Sequence, residues 1–313
     1  MKVLITGGFG FIGGRLAIHL SKLGHSVVLG SRRRQSAPVW LKDARSVEIE
    51  WNTELSLLKA SQGVDCIIHA AGMNAQDCTA DPAEAIRING LGTAKLVAAA
   101  TKNKVKKMIY LSTAHVYKNK LAGNIGENTC PRNLHPYATS NLIGENSLLY
   151  AHLQRKIQGV VFRLSNTFGS PAHKEVNAWM LFVNDICCQA IQTQAIVLGS
   201  EGIQHRDFIG MNAITSTICS TVERSYSFEN NSLFNLGSGR SMSIFDMAKL
   251  VAFRYKLMFG HEVEVRRGPL VEGEASEPIF YSVNSLRDNG LFHETNFERE
   301  VDDLLRFCKA NFN

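Results

Sequence analysis

The chain has no run approaching the roughly 18 uninterrupted apolar residues that a membrane-spanning helix needs, so no span is expected. Its cysteines, at 66, 78, 130, 187, 188, 219 and 308, show no CxxC spacing. An odd number of them in a chain this long points to reduced core thiols rather than disulfides, and no metal is expected. There is no concentrated basic stripe either. The densest runs, SRRR at 31–34 and KNKVKK at 102–107, are short and far apart, which argues against nucleic acid as a partner. No repeat or low-complexity linker interrupts the sequence. The net charge of +6 is mild over 313 residues and suits small polyanions. The opening MKVLITGGFGFIGG carries one lysine and then glycine-rich turn chemistry. It reads as a strand entering a loop rather than a signal peptide, so a cytoplasmic protein is expected.

What is present is a rhythm. Short apolar runs at 2–6, 26–30, 46–50, 65–70, 106–112 and 159–165 read as strands. Between several of them lie stretches with helical spacing, at 11–23, 83–103 and 137–156. This alternation predicts an α/β fold, a doubly wound parallel sheet of Rossmann type. After Asn166 the rhythm loosens, with a helix expected near 243–258. The expected division is a dinucleotide-binding domain over 1–165, with 204–238 folding back onto it. A smaller C-terminal substrate-binding lobe would comprise 166–203 and 239–313.

TGGFGFIGG sets Gly7, Gly10 and Gly13 between the first strand and the first helix. Gly7 permits the tight turn, Gly10 lets backbone approach a pyrophosphate, and Gly13 lets helix and strand pack closely. The second strand ends in LGSRRR, where a carboxylate would bind the 2′-hydroxyl of NAD. Ser31 and Arg32 stand there instead. A guanidinium matches a 2′-phosphate, so NADP is the expected cofactor, with NAD less favoured.

With these residues in place, the chain resembles the extended short-chain dehydrogenase/reductase family of NAD(P)-dependent nucleotide-sugar epimerases, dehydratases and ketoreductases. The resemblance runs nearly end to end, through VDCIIHAAG (64–72), INGLGT (88–93), LSTAHVY (111–117), FRLSNTFGSP (162–171), HRDF (205–208) and FNLGSG (234–239). It implies cofactor contacts from Gly7, Gly10, Phe11, Ile12, Gly13, Ser31, Arg32, Ala70, Ala71, Gly72, Asn89 and Tyr137. Hydride would pass between the nicotinamide and a sugar carbon. Tyr137 would exchange the proton on the sugar oxygen while Thr113 hydrogen-bonds the same oxygen. Asn166, Asn177 and Arg206 would face the substrate, Arg206 clamping a nucleotide diphosphate. The plainer reading of Arg206 is a surface ion pair with Asp207. A homodimer through the helices near 83–103 and 137–156 is also implied.

The sequence departs from the family at one catalytic place. YATSN matches the YxxxK segment except at its last residue, Asn141. The lysine would bond the nicotinamide ribose and lower the Tyr137 pKa. Asparagine can attempt only the first task. No other Lys or Arg lies between Pro136 and Gln154. An unassisted phenol has a pKa of about 10, so about one molecule in a thousand is phenolate at neutral pH. Oxidation needs that phenolate and would lose roughly 4 kcal/mol, whereas reduction uses the abundant phenol. The expectation is an NADPH-dependent reductase of a nucleotide-linked keto-sugar. The alternatives are an epimerase or dehydratase of the same family, or an NADP-binding regulatory protein with impaired catalysis.

Overall fold

The computed structural model describes residues 1–224, 232–271 and 277–312. Its first half runs β1 (Lys2–Thr6), α1 (Phe11–Lys22), β2 (Ser26–Ser31), β3 (Arg45–Glu48), α2 (Glu54–Ser61), β4 (Cys66–His69), α3 (Ala75–Ala80), α4 (Pro82–Ala85), α5 (Thr93–Lys102), β5 (Lys107–Thr113), β6 (Gly123–Ile125), α6 (Pro136–Leu153) and β7 (Gln158–Leu164). The second half runs β8 (Asn166–Phe168), α7 (Phe182–Thr193), β9 (Ala195–Val197), β10 (His205–Gly210), α8 (Met211–Glu223), β11 (Leu233–Leu236), β12 (Ser241–Ser243), α9 (Ile244–Phe259), β13 (Glu264–Arg266), β14 (Ile279–Tyr281), α10 (Asn284–Asp288) and α11 (Phe297–Phe312).

Seven strands form one sheet in the order β11-β7-β5-β4-β1-β2-β3. The neighbours from β7 to β3 pair in parallel register. Parallel neighbours need helical crossovers, which cover both faces and make the strands apolar throughout. Val3, Leu4 and Ile5 of β1 are accordingly fully buried. The strand order reverses beside β1, the switch point at which doubly wound sheets bind dinucleotides. The helix expected over 83–103 is broken by a π-helical stretch, Ile86–Gly92, between α4 and α5.

Two compact units are present: residues 1–119, 127–164 and 217–235, and residues 120–126, 165–216 and 236–313. The first holds the large sheet, with a core around Leu4, Ile67, Leu96, Met108, Leu148 and Val161. The second packs α7, α9 and α11 around Phe168, Ile186, Phe208, Met247, Val251 and Leu304. Residues 204–216 fall in this second unit rather than with the dinucleotide-binding domain. The reason is pairing: β10 bonds β8 in parallel and β12 in antiparallel fashion, in a small sheet of its own. Among the described residues no helix is long and apolar enough to cross a membrane. All seven cysteines are free thiols.

Candidate active site

The glycine loop is shaped as an anion cradle. Gly7 has φ +70°, and a Cβ there would meet the Ala70 carbonyl oxygen at 2.9 Å. Its N–H, and that of Gly8, donate to the Gly30 carbonyl at 3.0 and 3.3 Å, which ties the loop to the end of β2. Gly13 abuts Gly7 so closely that any Cβ would collide with its carbonyl. Gly10 caps α1 with no side-chain hydrogen bond, leaving the first N–H groups of a 12-residue helix to face a ligand. These features fit a dinucleotide pyrophosphate. Phe11 and Ile12 are half-buried in the first turn, Ser31 is half-buried at the end of β2, and Arg32 is exposed beyond it. Ser31 Oγ accepts from the Arg33 N–H at 3.2 Å and from Gln35 Nε2 at 2.8 Å. Ala70 and Ala71 continue from β4 half-buried, and Gly72 is exposed. A Cβ on Gly72 would stand 3.1 Å from the Asn89 side-chain oxygen.

Thr113 ends β5 and Tyr137 opens α6, and the Thr113 side chain lies close enough to act on the Tyr137 phenol. Thr113 Oγ1 accepts from the His115 N–H at 3.1 Å. Pro136 and the His135 imidazole start α6, with Nδ1 accepting from the Tyr137 N–H at 3.1 Å. Burial raises the Tyr137 pKa above its ordinary value, opposed by the neighbouring Thr113 hydroxyl; none of the groups acting on it is a cation.

Asn141 is buried, and its amide is committed within the protein. Nδ2 donates to the Tyr137 carbonyl at 2.7 Å, and Oδ1 accepts from the Tyr110 hydroxyl at 2.8 Å. Ser140 Oγ adds a bond to the same carbonyl at 3.2 Å. Asn89, on the π-helical stretch, is fully engaged as well. Its oxygen accepts from the Met73 N–H at 2.7 Å, and its Nδ2 donates to Ser140 Oγ at 3.2 Å and to Cys78 Sγ at 3.5 Å. Beneath them His69 bridges Thr6 Oγ1 at 2.6 Å and Thr93 Oγ1 at 2.8 Å, stacked on Tyr110. Burial lowers its pKa to about 3, so it is neutral.

In the second unit, Asn166 opens β8 and donates to the Asp207 carbonyl at 2.9 Å. Asn177 is exposed in a turn. Arg206 does not pair with Asp207. Strand alternation turns the two side chains apart, and the buried Asp207 carboxylate accepts from Ser165 Oγ at 2.5 Å, from the Ser238 N–H at 2.9 Å and from Ser238 Oγ at 3.1 Å. Burial nevertheless pushes its pKa up to about 6. Arg206 instead donates to Gln204.

Tyr110, Ser140, Cys78 and Gln204 were not legible as site residues. Tyr110 sits in an unbroken apolar strand, and only its face toward α6 makes it a partner of Asn141. A polar hydroxyl within such a run is the one signal the sequence offered.

A glycine cradle at the switch point beside β1, in a parallel sheet wound on both faces, defines a protein of the Rossmann class. The chain belongs to the NAD dependent epimerase/dehydratase family, whose model matches residues 3–237. It is 24% identical to the UDP-glucose 4-epimerase of Bacillus subtilis, covering 100% of this chain and 98% of that one. It is 25% identical to the human dTDP-D-glucose 4,6-dehydratase over 79% of this chain and 72% of that one. Its fold matches MoeE5 in complex with UDP-glucose and NAD at a TM-score of 0.82, with 20% identity and full coverage of both chains.

Proposed function

We propose that the protein is an NADPH-dependent reductase of a nucleotide-linked keto-sugar. The observation that carries this reading is the state of Tyr137: a buried phenol at the start of α6 beside Thr113, its pKa raised by burial and acted on by no cation. Such a group is a proton donor to a ketone oxygen far more readily than a base toward an alcohol. When bound, the reduced nicotinamide supplies hydride to the carbonyl carbon. Tyr137 then supplies the proton to the oxygen, and Thr113 steadies that oxygen. Asn141 fixes the turn that carries Tyr137 rather than charging it. Gly7, Gly10, Phe11, Ile12 and Gly13 would hold the pyrophosphate. Ala70, Ala71, Gly72 and Asn89 would border the nicotinamide end. Ser31 and Arg32 would take the adenosine ribose, the absence of a carboxylate there favouring a 2′-phosphate. Asn166, Asn177 and Arg206 would receive the nucleotide-sugar in the lobe of the second unit. The exposed Leu91, Ile143, Tyr150 and Leu153 on the π-helical stretch and α6 support a homodimer through that surface.

A second reading, a nucleotide-sugar epimerase or dehydratase using NAD, is favoured by the names of the relatives. Both reactions begin with an oxidation, the direction a neutral Tyr137 serves worst. The deciding experiment follows NADPH consumption with a panel of nucleotide-linked 4-keto-sugars, with NADH as control and Asn141→Lys as comparator. Turnover confined to NADPH supports the reductase. Conversion of a nucleotide-sugar without net cofactor consumption replaces it with the second reading. Silence of both proteins toward every substrate removes the reductase reading for that panel and leaves a nucleotide-binding protein without turnover.

A further inference from the structure

Arg206 is a half-buried guanidinium without an acid. Its Nε and Nη2 both donate to one atom, Gln204 Oε1, at 3.3 and 2.9 Å. No carboxylate approaches it among the described residues. Asp207 is taken up by Ser165 and Ser238, and Asp246 pairs with Lys249 and Ser243. Across the sheet Arg206 faces Met242 of β12, which carries no charge. Partial burial works against the cation and lowers its pKa. Buried charges are ordinarily neutralised by a partner. Here an amide oxygen supplies the geometry of a carboxylate without its charge.

We propose that Gln204 is a positioning residue that presents Arg206, uncompensated, to the phosphates of a nucleoside diphosphate. The proposal rests on the nucleotide-sugar reading above. The chemistry is one of donors and charge. A guanidinium has five N–H donors, and Gln204 uses two, which leaves three for phosphate oxygens. Anchoring Nε and Nη2 from one side also fixes the plane of the fork, so less freedom is lost on binding. A glutamate at 204 would keep that anchorage and cancel the charge, and the incoming phosphate would then meet a closed ion pair.

The test is equilibrium binding of UDP and dTDP to the full chain by titration calorimetry, with uridine as the phosphate-free control. The proteins compared are the unmodified chain, Arg206→Gln, Gln204→Met and Gln204→Glu. The expected result is a loss of roughly tenfold or more in diphosphate affinity for Gln204→Glu, approaching that of Arg206→Gln, with uridine unaffected. Gln204→Met should lose less, since the cation survives without its guide. If Gln204→Glu does not fold, the smaller and phosphate-confined loss in Gln204→Met carries the test. Should UDP bind both Gln204 variants as tightly as the unmodified chain while Arg206→Gln is weak, the role of Gln204 is overturned and the nucleotide-sugar reading stands. Tight UDP binding that ignores Arg206 overturns the site altogether. If the unmodified chain binds neither diphosphate, the nucleotide-sugar reading falls and takes this inference with it.

Discussion

An asparagine amide can satisfy a donor and an acceptor at once, and Asn141 does both inside the protein, toward Tyr110 and toward the Tyr137 carbonyl. Tyr110→Phe removes one of these and leaves Oδ1 buried and unpaired. It is expected to cost about 1–3 kcal/mol in urea unfolding; an unchanged midpoint would mean that the amide finds another donor. Tyr137→Phe is expected to lower turnover by roughly a hundredfold or more while cofactor affinity holds, as binding and rate measurements can separate. Two buried groups set opposite pH trends. His69 has a folded pKa of about 3 against 6.5 unfolded, so the unfolded chain takes up the proton first and stability falls as pH drops below 6.5. Between pH 6.5 and pH 5 that loss is of the order of 2 kcal/mol. Asp207 has a folded pKa of about 6 against 3.8, so its contribution is present at low pH and fades as pH rises through about 6. Below pH 6.5 the melting temperature should fall more steeply with acidification in Asp207→Asn, whereas in His69→Gln it should rise as pH drops from about 6 toward 4. Identical slopes in all three proteins would contradict the assignment.

At the scale of elements, α6 is held against β5 by close approach as well as by hydrogen bonds. A Cβ on Gly144 would come within 3.0 Å of the Tyr110 hydroxyl and 3.1 Å of the Asn89 carbonyl, so the helix seats only because residue 144 has none. Behind the sheet, Lys107 of β5 is buried and spends its ammonium on the end of α8. It donates to the carbonyls of Thr221 at 2.6 Å, Val222 at 3.2 Å and Arg224 at 2.7 Å. A cation at a helix C-terminus meets both the orphan carbonyls and the negative end of the dipole. Lys107→Met is expected to destabilise the protein by about 3 kcal/mol, judged by denaturant unfolding with the slope unchanged. A loss within a few tenths would mean that water caps α8 instead.

For the molecule as a whole, cofactor choice is readable as stability, because a ligand that binds only the folded chain raises its melting point. At a hundred times the dissociation constant the gain is about 2.7 kcal/mol. NADPH is expected to raise the melting temperature more than NADH at equal concentration, and Arg32→Asp to reverse the order. A larger shift with NADH in the unmodified protein would remove the 2′-phosphate argument. Analytical ultracentrifugation should show a dimer, weakened by Tyr150→Glu; a monomer at high concentration would sink the proposed interface.

How much could be read from the chain alone follows from how local each feature is. The strands at 2–6, 106–112 and 159–165 are runs of apolar and β-branched residues, and Gly7, Gly10 and Gly13 mark a turn whose geometry few other residues tolerate. Sequence periodicity and turn chemistry are short-range properties, so the parallel sheet and the glycine turn could be anticipated without coordinates. The place of residues 204–216 could not, because strand pairing is a choice among distant partners. Nor could the commitment of Asn141 to Tyr110, 31 residues away, or the freedom of Arg206 from its sequence neighbour Asp207. Which side chain satisfies a buried donor, and which charge is left without a partner, depends on what the fold brings within hydrogen-bond reach. The sequence determined the sheet, the glycine turn and the missing lysine; only the tertiary structure decided that Asn141 is spent on Tyr110 and that Arg206 meets an amide oxygen rather than an acid.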